Sequence, residues 1–191
     1  MKKNVGVVGL IFPCPILVVG TYDKKGKPNV LTVAWGGIAS SDPASVSIAV
    51  RPMRYSYEAL MRTKAFTINI PSVQYAAEVD FFGITSGSNT NKLAVTGLTP
   101  VRGEYVDAPY IAEFPLSMEC EVTHTLDLNA HTLFIGEIKG VKVDDSLLDI
   151  DGNLSWADAR LLTFDAMARE YRAPGEHVAE SFQVGKKFIS R

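Results

Sequence analysis

The first half of this 191-residue chain carries polar and cationic side chains of the kind that hold an anion. Asn29 and Thr32 stand on one β-type stretch, and Ser56 opens a helix-type stretch just after Arg51 and Arg54. A helix N-terminus presents free N–H groups, and a nearby arginine adds a bidentate partner for phosphate. Taken together, these residues predict a phosphate-binding rim.

Lys92, in the segment TNKLA, could add a second point charge to this rim. Ordinary structural roles are open to the same side chains, with Ser56 as a helix cap and Arg54 and Lys92 as solvated surface charges. Residue by residue, both interpretations stay open.

The stretch PNVLTVAWGG, residues 28–37, begins with a strand pattern and ends in two glycines, which have no side chains. β-branched and apolar residues lead up to Trp35 and predict a strand. Gly36 and Gly37 follow, with nothing to pack. We expect a bulky, flat ligand to approach the backbone there, flanked by Trp35, so a phosphorylated aromatic molecule would suit the stretch and the rim. The alternative is that the two glycines only shape a strand end.

Other chemistries lack their motifs in this sequence. GVVG at residues 6–9 does not have the spacing of a dinucleotide-binding loop, and neither a GxxxxGK[ST] phosphate loop nor a GxSxG nucleophile turn occurs. His124, His131 and His177 have no carboxylate or thiol at standard metal-ligand spacing, so no metal site is predicted. A formal charge of −2 with dispersed basic residues disfavours nucleic-acid binding, and no apolar run is long enough to span a membrane.

Strand patterns dominate the chain, and short helical segments interrupt them. DKKGK is predicted to turn a hairpin between residues 16–22 and 29–35. The patterns also predict strands over 46–50, 66–70, 115–126 and 131–143, helices over 56–65 and 72–83, a helical turn or two over 91–97, and a helix over 156–171. Many short strands with inserted helices imply a single domain over residues 1–191, mainly β, built as a closed antiparallel barrel of Greek-key type.

The N-terminal residues have some features of a secretory signal, because two lysines precede an apolar run. Pro13 and Pro15 interrupt that run, and cleavage after Gly20 would remove most of a predicted strand. We therefore expect a soluble, cytoplasmic protein. The two cysteines, Cys14 and Cys120, are far apart and in no CxxC pattern, which favours structural thiols over a disulfide framework.

A long N-terminal run, PCPILVVGTYDKKGKPNVLTVAWGGIASSDPASVSIAVRPMRYSYEAL, resembles the flavin reductase-like family of FMN-binding split barrels. The most specific parts are G-T-x-D-x-x-G-x-P-N-x-x-T-x-A-W, then SSDP, then R…YS. HTLFIGEI is similar to a barrel strand of that family. The resemblance extends to the C-terminal QVGKKF, and within the family the chain is most similar to the flavoredoxins.

This resemblance implies FMN as the cofactor, held across the barrel at the interface of a homodimer. The phosphate contacts that it implies are Asn29, Thr32, Ser56 and Lys92, with Arg51, Arg54 and Tyr55 around the ribityl phosphate. The contacts that it implies along the ring and its approach are Val30, Leu31, Ala34, Trp35, Ser40 and Ser41. Tyr55, Phe81 and Phe82 are expected to line the subunit interface.

The same resemblance implies a redox protein that passes electrons through FMN, without a catalytic nucleophile of its own. Family members that use a nicotinamide often have Gly-Asp-His where this chain has NAH, residues 129–131. That difference favours a flavoredoxin with a protein redox partner, and leaves His131 as a contact for the donor or a nicotinamide. Alternatives are an NAD(P)H-dependent flavin reductase, a non-redox flavin-binding module and a β-barrel that binds no flavin.

Overall fold

Seven of the β-strands form one antiparallel sheet, which is the frame of the molecule. A computed structural model describes residues 1–9, 11–154 and 159–189. In chain order its strands are β1 (Cys14–Pro15), β2 (Leu17–Tyr22), β3 (Pro28–Val33), β4 (Gly36–Ser41), β5 (Ala44–Val50), β6 (Ala65–Ile70), β7 (Pro100–Arg102), β8 (Pro109–Ile111), β9 (Leu116–Asp127), β10 (Thr132–Val143), β11 (Thr163–Asp165) and β12 (Glu170–Arg172). The large sheet has the order β3-β2-β6-β9-β10-β5-β4, while β1, β11 and β12 form a small sheet and β7 pairs with β8.

The large sheet closes on itself because its two edge strands are neighbours in sequence. β3 and β4 lie at opposite edges, yet only Ala34 and Trp35 separate them. The sheet must therefore curl until these edges meet, and the carbonyl of Trp35 accepts a hydrogen bond from the N–H of Ala49 in β5 (2.8 Å). This closure confirms the predicted class, a mainly β antiparallel barrel.

The β2–β3 hairpin forms as predicted, and Asp23 shapes its turn. Its carboxylate oxygen Oδ1 accepts hydrogen bonds from the backbone N–H groups of Lys25 (2.8 Å) and Lys27 (2.9 Å). The register pairs Thr21 with Asn29, which brings the start of β3 beside the end of β2. The predicted strands over 46–50 and 66–70 are also confirmed, each extended by one or two residues.

The strand β4 was not predicted, because its sequence GGIASS has poor strand propensity. It forms by pairing with β5, with Gly36 opposite Ile48. A Cβ atom added to Gly36 would lie 2.6 Å from the carbonyl oxygen of Ser47, whereas one on Gly37 would have nothing within 4 Å. At Gly36 the close neighbour is therefore strand β5, which supports the strand-shaping alternative for this residue.

Three α-helices interrupt the strands, namely α1 (Ser56–Thr63), α2 (Ala76–Ile84) and α3 (Lys92–Thr96). All three agree in position with the predicted helical segments. Gly83 was predicted to end α2, but it lies inside the helix, where a Cβ would be 3.6 Å from that of Thr32 in β3. Among the described residues no helix is long and apolar enough to cross a membrane.

The C-terminal region corrects one prediction, the helix over 156–171. Residues 155–158 lie outside the described part of the chain, and those that follow form the β11–β12 hairpin. The carboxylate oxygen Oδ1 of Asp165 accepts from the N–H groups of Met167 and Ala168, both at 3.0 Å, which turns the chain back. Pairing with β1 on the other side of β11 then outweighs the local helical preference of this segment.

Two buried clusters share strand β2, which explains its unbroken apolar run. Leu17 and Val19 pack inside the barrel, while Val18 packs on the opposite face in the cluster that includes residues of α2 and α3. Cys120 belongs to the barrel cluster, where burial raises the pKa of its thiol to about 12. Both cysteines are free, and Cys120 is the structural thiol that the sequence predicted.

Candidate functional site

A cavity of about 390 Å³ lies beside the end of β3, and a tryptophan, a phenylalanine and a tyrosine are among the residues that line it. We call it the aromatic cavity. β3 and the end of β5 form one side, and the β11–β12 hairpin forms another. Its lining residues are Ile16, Leu31, Thr32, Val33, Ala34, Trp35, Ala49, Val50, Arg51, Arg54, Gly83, His131, Phe164 and Tyr171.

A second cavity of about 130 Å³ continues from the first towards the start of α1. Leu31 and Arg54 line both cavities, so the two meet at these side chains. We call it the cationic cavity because Arg54 and Lys92 line it. The full lining is Asn29, Leu31, Met53, Arg54, Tyr55, Ser56, Thr85, Ser86, Gly87 and Lys92.

Lys92 is a buried cation, with only 4% of the residue exposed. Its ammonium donates hydrogen bonds to the carbonyl oxygens of Val30 (2.9 Å) and Phe82 (2.7 Å). Burial, with the nearby charge of Arg54, lowers the pKa of Lys92 to about 8. An ammonium has three donors, and no carboxylate of the described residues lies within ion-pair distance of this one. The interpretation of Lys92 as a solvated surface charge is therefore wrong, and an anion in the cavity would supply its missing partner.

Ser56 is also buried and leaves one hydrogen-bond donor available. Its Oγ accepts from the Nδ2 of Asn29 (2.8 Å) and from the hydroxyl of Thr21 (3.3 Å), so its own O–H remains to donate. Ser56 is the first residue of α1, and the preceding Tyr55 makes no side-chain cap. The prediction of Ser56 as a helix cap is thus wrong, and its hydroxyl lines the cationic cavity instead.

Arg54 and Tyr55 form the exposed rim of the cationic cavity. The Nη1 of Arg54 donates to the carbonyl of Gly83 (3.2 Å), which ties the start of α1 to α2. The hydroxyl of Tyr55 donates to Asp23 (2.9 Å), and this hydrogen bond raises the pKa of Tyr55. These contacts hold the rim in place and do not use the hydrogen-bond donors of Lys92 and Ser56.

The two joined cavities fit a molecule with a flat apolar ring at one end and a phosphate at the other. FMN meets that description: the aromatic cavity offers ring-sized apolar walls, and the cationic cavity offers the donors of Lys92 and Ser56. The fit rests on a buried ammonium without a carboxylate partner, which is costly unless an anion compensates it.

The flavin reductase like domain model matches residues 9–161 of the chain. The chain belongs to this family. A solved structure of a similar protein also superposes on nearly the whole chain. Flavoredoxin of Desulfovibrio vulgaris (Miyazaki F) is 44% identical, with a TM-score of 0.92 over 97% of this chain and 100% of that one.

Two structures with lower sequence identity have a similar fold. A flavoredoxin from Methanosarcina acetivorans is 24% identical, with a TM-score of 0.90 over 98% of this chain and 100% of that one. An FMN-binding protein from Thermus thermophilus is 20% identical, with a TM-score of 0.78 over 94% of this chain and 98% of that one. At these identities the likeness concerns the fold alone.

In this flavin reductase-like chain, most of the predicted site residues line one of the two cavities. Asn29, Tyr55, Ser56 and Lys92 line the cationic one; Thr32, Ala34, Trp35, Arg51 and His131 line the aromatic one; Leu31 and Arg54 line both. Val30 is core, and its carbonyl serves Lys92.

Four predicted contacts lie elsewhere. Arg51 was expected around the phosphate, but it lines only the aromatic cavity. Thr32 was expected to converge with Ser56 and Lys92, but it lines only the aromatic cavity and its hydroxyl donates to the carbonyl of Val79 (2.6 Å). Ser40 and Ser41 line neither cavity. They end β4, where the hydroxyl of Ser40 bonds the turn at Asp42.

Sequence reasoning missed the hairpin aromatics, Phe164 and Tyr171, which close one side of the aromatic cavity. They lie beyond the flavin reductase-like match, which ends at residue 161. The β-type residues Thr163 and Phe164, followed by Asp165 at a turn position, were the available signal. The neighbouring alanines, methionine and arginines favoured a helix instead.

Proposed function

We propose that this chain is a flavin-binding redox protein of the flavoredoxin type, which passes electrons through bound FMN from a protein donor to an acceptor. The observation that carries the proposal is the buried, carboxylate-free ammonium of Lys92 in a cavity that adjoins the aromatic cavity at Leu31 and Arg54. The 44% identity to a flavoredoxin over nearly the whole chain supports the type.

Each part of the site has its own task in this proposal. Lys92 and Ser56 would donate to the phosphate, and Arg54 would add charge at the rim. Leu31, Trp35 and the other apolar walls would exclude water from the ring. FMN, when bound, supplies the redox chemistry, and the protein sets its position and electrostatics.

His131 supports a second candidate, an NAD(P)H-dependent flavin reductase, because its side chain lines the aromatic cavity. The two candidates differ in the source of electrons. In the first a partner protein reduces the flavin, and in the second a nicotinamide reaches it directly.

Anaerobic stopped-flow mixing of the FMN-loaded protein with NADH or NADPH separates the candidates. We expect slow loss of flavin absorbance with both nucleotides and rapid loss with a strong chemical reductant. If NADH or NADPH bleaches the flavin rapidly, and His131→Asn slows this bleaching, the protein is a reductase instead. If the reduced protein passed electrons to cytochrome c no faster than free FMN does, it would be a non-redox flavin-binding module.

The proposal includes a homodimer, for which an apolar groove is the best candidate surface. This groove of about 470 Å³ shares Ala34, Trp35 and Ala49 with the aromatic cavity, and the described residues that line it carry no charge. Ile38 on its rim is 77% exposed and Trp35 is 51% exposed. A second copy seated here would cover both side chains and close the flavin site.

This surface differs from the interface expected from the sequence, of which only Phe82 is contradicted. Phe82 is completely buried in the cluster beneath α2, so it cannot line an interface. The hydroxyl of Tyr55 is bonded to Asp23 at the cationic cavity. Phe81 is only half-buried.

Light scattering tests the dimer with a matched pair of substitutions. Ile38→Asp should convert the protein to a monomer, because a charge buried in an apolar interface is costly to desolvate. Ile84→Asp is the control, since Ile84 is equally exposed (76%) and does not line the groove. A wild-type monomer that still carries FMN, or a dimer that survives Ile38→Asp, would contradict this surface.

A further inference from the structure

The β11–β12 hairpin gives the aromatic cavity two of its rings. Phe164 on β11 and Tyr171 on β12 have their ring centroids 5.5 Å apart at an angle of 47°, and both line the cavity. Neither ring lines the cationic cavity. The hairpin therefore contributes side chains only to the aromatic cavity and not to the cationic cavity that contains Lys92.

The hairpin is held from two sides. On one side β11 pairs with β1, with Cys14 opposite Phe164. On the other, the hydroxyl of Tyr171 donates to the carboxylate oxygen Oδ1 of Asp80 on α2 (3.0 Å). Within the described part of the chain, this is the hydrogen bond that ties β12 to an element outside the hairpin.

The Tyr171 hydroxyl remains a donor at any ordinary pH. Burial, reinforced by the bond to Asp80, raises the pKa of Tyr171 to about 12. The hydrogen bond from this hydroxyl therefore joins Asp80 to the cavity wall through Tyr171 at any ordinary pH.

We propose that Phe164 and Tyr171 form the ring-binding wall of the flavin site and that Asp80 is a positioning residue for this wall. The inference rests on the proposed function, since it concerns how the same site holds FMN. Flat aromatic rings favour contact with other aromatic rings, and both side chains lie where only the ring end of the ligand would reach. The wall is built from residues beyond the matched family region, which ends at residue 161.

Titration with FMN and riboflavin, which differ only in the phosphate, tests the wall. Phe164→Ala should weaken the binding of both ligands by the same factor, about tenfold, as loss of an aromatic contact and its buried area predicts. Phe164→Leu keeps an apolar side chain in the cluster and should weaken both ligands less. Phe188→Ala, which removes a 78% exposed ring that does not line the cavity, should leave both affinities unchanged.

Hydrogen exchange of the backbone tests the positioning role of Asp80 without any redox assay. In the flavin-free protein, Tyr171→Phe and Asp80→Ala should each speed exchange in residues 163–172, because each removes the bond that holds β12. Asp80→Asn keeps an oxygen acceptor and should exchange like the wild type. Added riboflavin should slow exchange in this segment of the wild type.

The outcomes separate this inference from the proposed function. A wild-type protein that binds neither ligand overturns the proposed function, and this inference with it. A wild type that binds FMN while Phe164→Ala and Phe164→Leu retain its affinity overturns the wall alone. A loss confined to FMN also overturns it, since the hairpin would then act on the phosphate end.

Discussion

Replacing Lys92 by methionine is expected to weaken FMN binding by about 1.5–3 kcal/mol, the contribution of a charged hydrogen bond, while riboflavin binding changes little. Methionine preserves most of the buried stem and removes only the charge and its donors. The carbonyls of Val30 and Phe82 lose their partner in the variant, so its free energy of unfolding should also fall, by about 1–3 kcal/mol. The affinities are measured by fluorescence titration of the folded protein.

Lys3→Met is the control for net charge, because Lys3 is exposed near the N-terminus. An equal loss for FMN and riboflavin would contradict the phosphate role and make Lys92 a support for the cavity wall. An unchanged FMN affinity would remove Lys92 from the site altogether.

The pH profile gives a second readout of the same side chain. Without ligand, the pKa of Lys92 is about 8, so the ammonium loses its proton as the pH rises past that value. A bound phosphate dianion would raise this pKa, because opposite charges favour the charged form. FMN binding should therefore take up a proton above pH 8, and the affinity for FMN should fall between pH 8 and 9.5 in the wild type. Lys92→Met should lack this fall, and riboflavin should not show it.

Gly36→Ala is expected to lower the free energy of unfolding by about 1–3 kcal/mol, the usual cost of forcing atoms into a packed site. The added Cβ would lie 2.6 Å from the carbonyl oxygen of Ser47 and 2.7 Å from the side chain of Leu17, so β4 and β5 would have to separate. Gly37→Ala is the matched control. Its Cβ meets nothing within 4 Å, and its stability should stay within about 0.5 kcal/mol of wild type. Urea unfolding followed by circular dichroism measures both.

Flavin titration of the same two variants decides between the two roles considered for these glycines. If Gly36 is needed for strand pairing, the folded Gly36→Ala protein should still bind FMN. A variant of normal stability that binds FMN poorly would show instead that a ligand approaches the backbone at this residue.

Local pattern was enough to predict the elements whose own residues specify them. The β2–β3 hairpin follows from β-branched runs on either side of a turn that contains Asp23 and Gly26. Helix α1 follows from a run of good helix formers. Asn29, Ser56 and Lys92 could be chosen from the sequence because their side-chain types suit a phosphate, and all three line one cavity.

Only the three-dimensional structure decided the features that depend on pairing with another strand. GGIASS becomes a strand because β5 supplies its partner, and residues 163–172 become a hairpin because β1 pairs with β11. The partner β1 lies far from residues 163–172 in sequence, and β5, although it directly follows β4, does not raise the poor strand propensity of GGIASS itself, so propensity alone gave a strand end and a helix.

The division is clearest at Lys92 and Thr32, two residues that the sequence placed at one phosphate. A side-chain type states which bonds a residue can make, whereas its depth and neighbours depend on how the elements pack. Packing of α2 and α3 against β3 buries the ammonium of Lys92 beside two carbonyls and lowers its pKa, and it turns the hydroxyl of Thr32 to Val79 instead. The sequence by itself determined which side chains could hold a phosphate or a ring. The closed barrel decided which of those side chains meet, because burial and contact arise between segments far apart in the chain.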